Sequence, residues 1–236
     1  MWVPAGVRLW FAGNVIEMDE VQIGSGRSSL PGELTVPSGA VGIVVFAHGS
    51  GSSRLSPRNV AVARALNERG IATVLFDLLT PAEADDRGKV FDIGLLSGRL
   101  EDAARWAMAL RPEAVGLPVG LFGASTGAAA ALVVAARLSE GIAAVVSRGG
   151  RPDLAGAALR EVTAPTLLIV GGDDPVVVEV NRQAERLLRG EKRLEVIPGA
   201  GHLFEEPGAL ERVAELAADW FLGHLRQTRT GTSVGG

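Results

Sequence analysis

Six short runs rich in valine and isoleucine, at residues 42–47, 71–76, 119–122, 142–146, 166–170 and 194–197, recur along the chain with helical stretches between them. These runs are apolar at nearly every position rather than every second one, the pattern of strands covered on both faces. Leu100, Ala103, Ala104, Ala107 and Leu110 repeat at helical spacing and put one apolar stripe on a helix. Leu210, Val213, Ala214, Ala217, Trp220 and Phe221 do the same near the end. A further helix is expected from about Pro57, closed by Gly70, since glycine tolerates the left-handed backbone just past a helix end. Strand and helix in alternation predict an α/β fold: a doubly wound, mostly parallel sheet in a three-layer α/β/α sandwich, with its ligand site at the C-terminal strand ends. Residues 16–23 and 33–36, joined by Gly, Ser and Pro, read as an antiparallel hairpin at one sheet edge, which brings the expected total to eight strands.

The chain's 236 residues suit one domain, placed at 13–227 between an N-terminal extension at 1–12 and a Gly/Ser/Thr-rich tail at 228–236. A hydrophobic share of 47% against 21% charged belongs to a globular rather than a disordered chain. The net charge of -4, with no basic block, leaves no electrostatic footprint for nucleic acid or an anionic membrane, so a small-molecule substrate is the expected partner. A homodimer stays open. No stretch reaches membrane-spanning length, and the apolar residues 7–12 are followed too closely by Glu17, Asp19 and Glu20 for a signal peptide, so a cytoplasmic location is expected. The absence of cysteine excludes disulfides, thiolate metal sites and a cysteine nucleophile. No metal and no cofactor is expected.

The strongest local signal is Gly123-Ala124-Ser125-Thr126-Gly127, where an apolar strand runs directly into a small-residue helix. A serine in a strained strand-to-helix turn needs neighbours without bulk two residues before and two after, because strand and helix cross closely there. This is the nucleophile-elbow pattern, which lifts the hydroxyl above the sheet and aims the Thr126 N–H into the same space. A glycine-rich phosphate loop is the competing reading, but the Gly-x-Gly-x-x-Gly spacing is absent.

A serine hydroxyl is nearly inert at neutral pH and needs a base, and the chain has 3 histidines. His224 falls near the end of the last helix, where a capping or half-exposed role is expected. His48 opens His48-Gly49-Ser50-Gly51 after the first parallel strand, where a structural role is expected and the Ser50 N–H is the candidate second oxyanion donor. Of His48 and His202, only His202 comes after Ser125 in the order serine, acid, histidine, and it is the expected base. The acid should lie in Gly171-Gly172-Asp173-Asp174-Pro175. Asp174 is preferred over Asp173, which could instead stabilise the turn or cap the next helix. Among the arginines expected near this end, Arg87, Arg99, Arg148 and Arg151, none is singled out.

These motifs, with Val45-Phe46-Ala47 before His48 and Gly199-Ala200-Gly201 before His202, resemble the dienelactone hydrolase-like branch of the α/β-hydrolase superfamily over about residues 15–225. The resemblance implies an esterase or related acyl hydrolase without a cofactor. Serine stands at 125 where dienelactone hydrolase itself has cysteine, so lactone specificity is not carried over. The expected activity is hydrolysis of small, fairly soluble esters, with no large lid domain over the site. A non-catalytic binding protein, and a peptidase or acyltransferase with the same triad, are the alternatives.

Overall fold

The computed structural model describes residues 7–11, 14–110 and 116–230, with side chains over 16–110 and 116–225. Strands β1 (Val7–Phe11), β2 (Asn14–Ser25) and β3 (Ser28–Pro37) form an antiparallel meander. The chain then alternates: β4 (Ile43–Ala47), α1 (Pro57–Glu68), β5 (Ala72–Phe76), α2 (Pro81–Ala84), α3 (Arg87–Val90), α4 (Ile93–Met108), β6 (Val119–Ala124), α5 (Thr126–Leu138), β7 (Ile142–Arg148), β8 (Thr166–Gly171), α6 (Pro175–Leu187), β9 (Lys192–Ile197) and α7 (Ala209–Thr230). The sheet order is β1-β2-β3-β5-β4-β6-β7-β8-β9, with β3 antiparallel to β5 and the six strands from β4 onward parallel.

Side-chain alternation explains the three layers. In β4, Ile43, Val45 and Ala47 join the cluster built with α4 and α5, while Val44 and Phe46 join the one built with α1 and α7. A strand buried on both faces must be apolar throughout, which is the pattern that made these strands legible. Phe46 and Phe122 lie side by side with ring centroids 4.7 Å apart. Burying each contributes about 1.5–3 kcal/mol.

From β4 the chain turns to β5 on one side, then crosses back to β6 on the other. The loops leaving β4 and β6 therefore part at one point of the C-terminal edge and leave a crevice between them.

The eight expected strands are present, and Val7–Phe11, assigned to the N-terminal extension, adds a ninth at the sheet edge. The hairpin is tighter than expected. Its turn is Gly26 (φ 57) with Arg27, and β3 runs straight through Pro31 and Gly32. Gly32 is required by proximity, since a Cβ there would stand 3.0 Å from Phe76 Cβ. Residues 77–97 fold into α2, α3 and the first turn of α4, whose N-cap Asp92 accepts the Leu95 N–H at 3.0 Å. Among the described residues no helix is long and apolar enough to cross a membrane.

Candidate active site

Ser125 joins β6 to α5 with φ 51 and ψ -118. A residue with a Cβ avoids this region, and holding it there costs about 1–3 kcal/mol. The surrounding backbone imposes it. The Ser125 N–H donates to Arg148 O at 3.2 Å, and its carbonyl accepts from the N–H groups of Ala128 and Arg151 at 3.1 Å each. The flanking glycines are there for space. A Cβ on Gly123 would stand 2.4 Å from Ala128 Cα, and one on Gly127 would stand 2.2 Å from Ala47 O. The elbow leaves the Ser125 side chain half-buried, with Thr126 as the first helical residue. The N–H groups of a first turn have no acceptor within the helix.

Asp174 is the N-cap of α6 and uses both carboxylate oxygens: Oδ1 accepts the Val177 N–H at 3.2 Å, and Oδ2 lies 2.9 Å from His202 Nδ1. With a carboxylate at Nδ1 the ring proton belongs on that nitrogen, which leaves Nε2 as the acceptor. The His202 loop is held by backbone. Gly201 N–H donates to Glu206 Oε1 at 3.0 Å, and Asp173 N–H donates to Ala200 O at 3.0 Å. The Asp173 residue itself is exposed. The structure gives no hydrogen bond between Ser125 Oγ and His202. The ring lies beside Gly149, with Cε1 3.6 Å from the position of a Gly149 Cβ, one residue past the carbonyl that holds Ser125. Nucleophile–base hydrogen bonds are often long in unliganded enzymes and tighten on binding.

His48 is buried, and both its nitrogens are engaged. Nε2 accepts the Leu78 N–H at 3.0 Å, and Nδ1 lies 3.0 Å from Gly49 O. Burial pushes its pKa below the ordinary value, against the raising effects of the Gly49 hydrogen bond and Asp77. A neutral ring thus ties the loop after β4 to the segment after β5, and Arg54 adds a second tie through its N–H to Asp77 Oδ1 at 2.7 Å. Gly49 lets that loop close on Ser125, for a Cβ at residue 49 would stand 3.0 Å from Ser125 Cβ. Ser50 follows in an exposed turn. A cleft of about 580 Å³ opens between this loop and residues of the α2–α4 segment, with Thr126 at its floor. His224 lies elsewhere, 4.5 Å from Trp220 and 3.8 Å from Glu191, beside the N-terminal ends of β8 and β9.

Two of the noted arginines are accounted for by ion pairs. Arg99 grips Glu83 with Nη1 at 2.7 Å and Nη2 at 2.9 Å, which holds the Glu83 carboxyl down at about 2. Arg151 pairs with Asp153 at 2.7 Å, and Arg87 is exposed. Arg148 has no such partner. Buried side-chain polar atoms without one, among the described residues, belong to Arg58, Asn59, Thr126, Ser147, Arg148 and Asn181. All six lie in loops, helix turns or strand ends at the C-terminal edge of the sheet. Arg58 escaped the sequence reading, since a first-turn arginine looks like any solvated one. Among the described residues no three His, Asp or Glu side chains gather as a metal site would require.

The model of the dienelactone hydrolase family matches residues 32–225. The chain belongs to the dienelactone hydrolase family. A dienelactone hydrolase from Anabaena variabilis is 54% identical and superposes with a TM-score of 0.86, covering 89% of this chain and 99% of that one. A Pyrococcus furiosus esterase, 19% identical over 89% of this chain and 94% of its own, shares the fold with a TM-score of 0.73. A Mycobacterium tuberculosis protein provisionally named a phosphoribosyl transferase is 59% identical over 207 residues. That match takes in 88% of this family member but only 46% of the relative, so the chain spans about half the relative's length. Family and neighbours agree on a hydrolase fold of the dienelactone hydrolase type.

Proposed function

We propose that this chain is a serine hydrolase that cleaves carboxylic esters of small, fairly soluble substrates through an acyl-enzyme on Ser125. The observation that carries the reading is the positive φ of Ser125 at the junction of β6 and α5, a strain with no packing benefit that a fold keeps where a side chain must be presented. In the proposed reaction Ser125 Oγ attacks the ester carbonyl carbon while His202 Nε2 takes its proton. Asp174 holds the ring tautomer, and the N–H groups of Thr126 and Ser50 receive the oxyanion. The carbonyl–oxygen bond to the alcohol then breaks, and the alkoxide leaves with the proton from His202. Water attacks the acyl group in the reverse sense, with His202 again as base, and frees Ser125. Phosphoribosyl transfer forms no part of this reading, because that name describes a relative with as much sequence again outside the match.

Labelling with a fluorophosphonate, combined with hydrolysis of 4-nitrophenyl acetate, tests the proposal. Wild type should label and turn over, and Ser125→Ala should do neither. Labelling that survives in Ser125→Ala, or wild type that is inert to both reagents, would overturn it.

A further inference from the structure

Asn181, in the middle of α6, is fully buried, and the reaction described above gives it no part. Its Nδ2 donates to Val177 O at 2.8 Å, one turn back on the same helix, and to Gly150 O at 2.9 Å in the segment after β7. Both partners are carbonyl oxygens, which can only accept, so the orientation of the amide is fixed. Its NH2 faces them, and Oδ1 is left sealed from solvent without a donor. A space that only needed filling would suit leucine, which is of similar size and leaves no buried acceptor unpaired.

What the amide joins is more specific than packing. At the helix end, Val177 is the residue whose N–H is accepted by Asp174 Oδ1 at 3.2 Å, while Asp174 Oδ2 lies 2.9 Å from His202 Nδ1. At the other end, Gly150 sits between Gly149, beside the His202 ring, and Arg151, whose N–H donates to Ser125 O at 3.1 Å. The Arg148 carbonyl, which accepts the Ser125 N–H, begins the same segment. Residues 148–151 therefore meet the backbone of Ser125 and the ring of His202 together. On the sheet side they have no slack, because a Cβ on Gly150 would stand 2.0 Å from Ser147 Oγ and 2.7 Å from Ala128 Cβ. On the α6 side Asn181 is the tie: among the described residues no other side-chain hydrogen bond joins this segment to the helix that carries Asp174.

We propose that Asn181 is a positioning residue for ester hydrolysis, its amide locking α6 to residues 148–151 and so setting where the Asp174–His202 pair stands relative to Ser125. The inference rests on the Ser125 reading. Such a tie acts through geometry, and a displacement of about 1 Å at a reacting pair is worth about 10²-fold in rate.

The test reads kcat and KM for 4-nitrophenyl acetate per serine labelled by fluorophosphonate, well below the Tm of each variant. Counting labelled sites removes any loss that comes only from unfolded molecules. Asn181→Leu fills the volume and deletes the tie, so its kcat should fall by about tenfold to a hundredfold with KM within about twofold of wild type. Gln183→Ala, at an exposed position two residues on, should keep the wild-type kcat. Asn181→Asp adds a pH signature. Its carboxyl would face the same two carbonyls away from water, so burial raises its pKa, and the neutral acid keeps one O–H to donate. At higher pH it ionises and repels both carbonyls. Its kcat should come closest to wild type near about pH 6 and fall again by about pH 8–9, a bell where wild type rises to a plateau. Asp174, His202, Arg148, Arg151 and Asp153, the ionisable groups of the segments that Asn181 joins, are the same in both proteins, so the alkaline fall belongs to position 181. A wild-type kcat per labelled serine in Asn181→Leu, or an Asn181→Asp profile without the alkaline fall, would overturn the positioning role and leave the serine esterase intact. If Asn181→Leu does not fold, the Asn181→Asp profile decides alone. Wild type that neither labels nor turns over would remove the underlying reading instead.

Discussion

Replacing Gly127 by alanine sets two magnitudes against each other. Gly127 is the second residue of α5, and in a helix alanine is favoured over glycine by about 1 kcal/mol, so propensity alone argues for a more stable protein. The structure argues the reverse. The new Cβ would stand 2.2 Å from Ala47 O and 2.6 Å from His48 O, both backbone atoms of the β4 end, with no flexible side chain to yield. To reach the 3.0 Å that real Cβ contacts respect, Ala47 O must withdraw by about 0.8 Å, and the His48–Gly49 loop must follow. Overpacking typically costs about 1–3 kcal/mol, and a clash with backbone belongs at the upper end. The expected net loss is therefore about 2 kcal/mol, seen in urea melts as a lower midpoint at unchanged slope. Ester hydrolysis should fall further than stability does, because the displaced loop carries the Ser50 N–H. A Gly127→Ala protein as stable as wild type would refute the packing argument.

Ser125→Gly should be inactive yet more stable by about 1 kcal/mol in the same melts, since it releases about 1–3 kcal/mol of strain and adds about 0.5–1 kcal/mol of unfolded-state entropy; a destabilised variant would mean that the elbow is not strained. Asp174→Asn keeps an oxygen for the Val177 cap but loses the charge at His202 Nδ1, and kcat for 4-nitrophenyl acetate should drop by about 10³–10⁴-fold, while Asp173→Asn retains the wild-type rate. His48 gives a pH signature. Because burial lowers its folded pKa, the unfolded chain takes the proton first. The stability it contributes is present above the unfolded value of about 6.5 and is lost as pH falls toward the folded one. Urea-unfolding free energies between about pH 6.5 and 5.5 should fall with a steeper slope for wild type than for His48→Gln, by at most one proton, or about 1.4 kcal/mol per pH unit; equal slopes would refute the buried neutral ring.

Much of this molecule could be read from the residues themselves, for reasons that are local. Parallel strands covered on both faces must be apolar throughout, so β4 to β8 announce themselves. The glycines at 123 and 127 are demanded by a crossing only four residues wide, and they single out Ser125. Asp174 and His202 could be nominated because chain order in such a sheet maps onto position along its edge.

What tertiary structure alone decided is burial and pairing between segments distant in sequence. The sequence shows four arginines near the functional end as equals; only packing separates Arg99, met by Glu83, from Arg148, buried over the Phe204 ring. The same holds for His48, whose ring is claimed at both nitrogens by residues 49 and 78. A side chain's charge and shape are written in its identity. Whether that charge is solvated, paired or left waiting depends on which other parts of the chain exclude water around it, and that is a property of the whole fold.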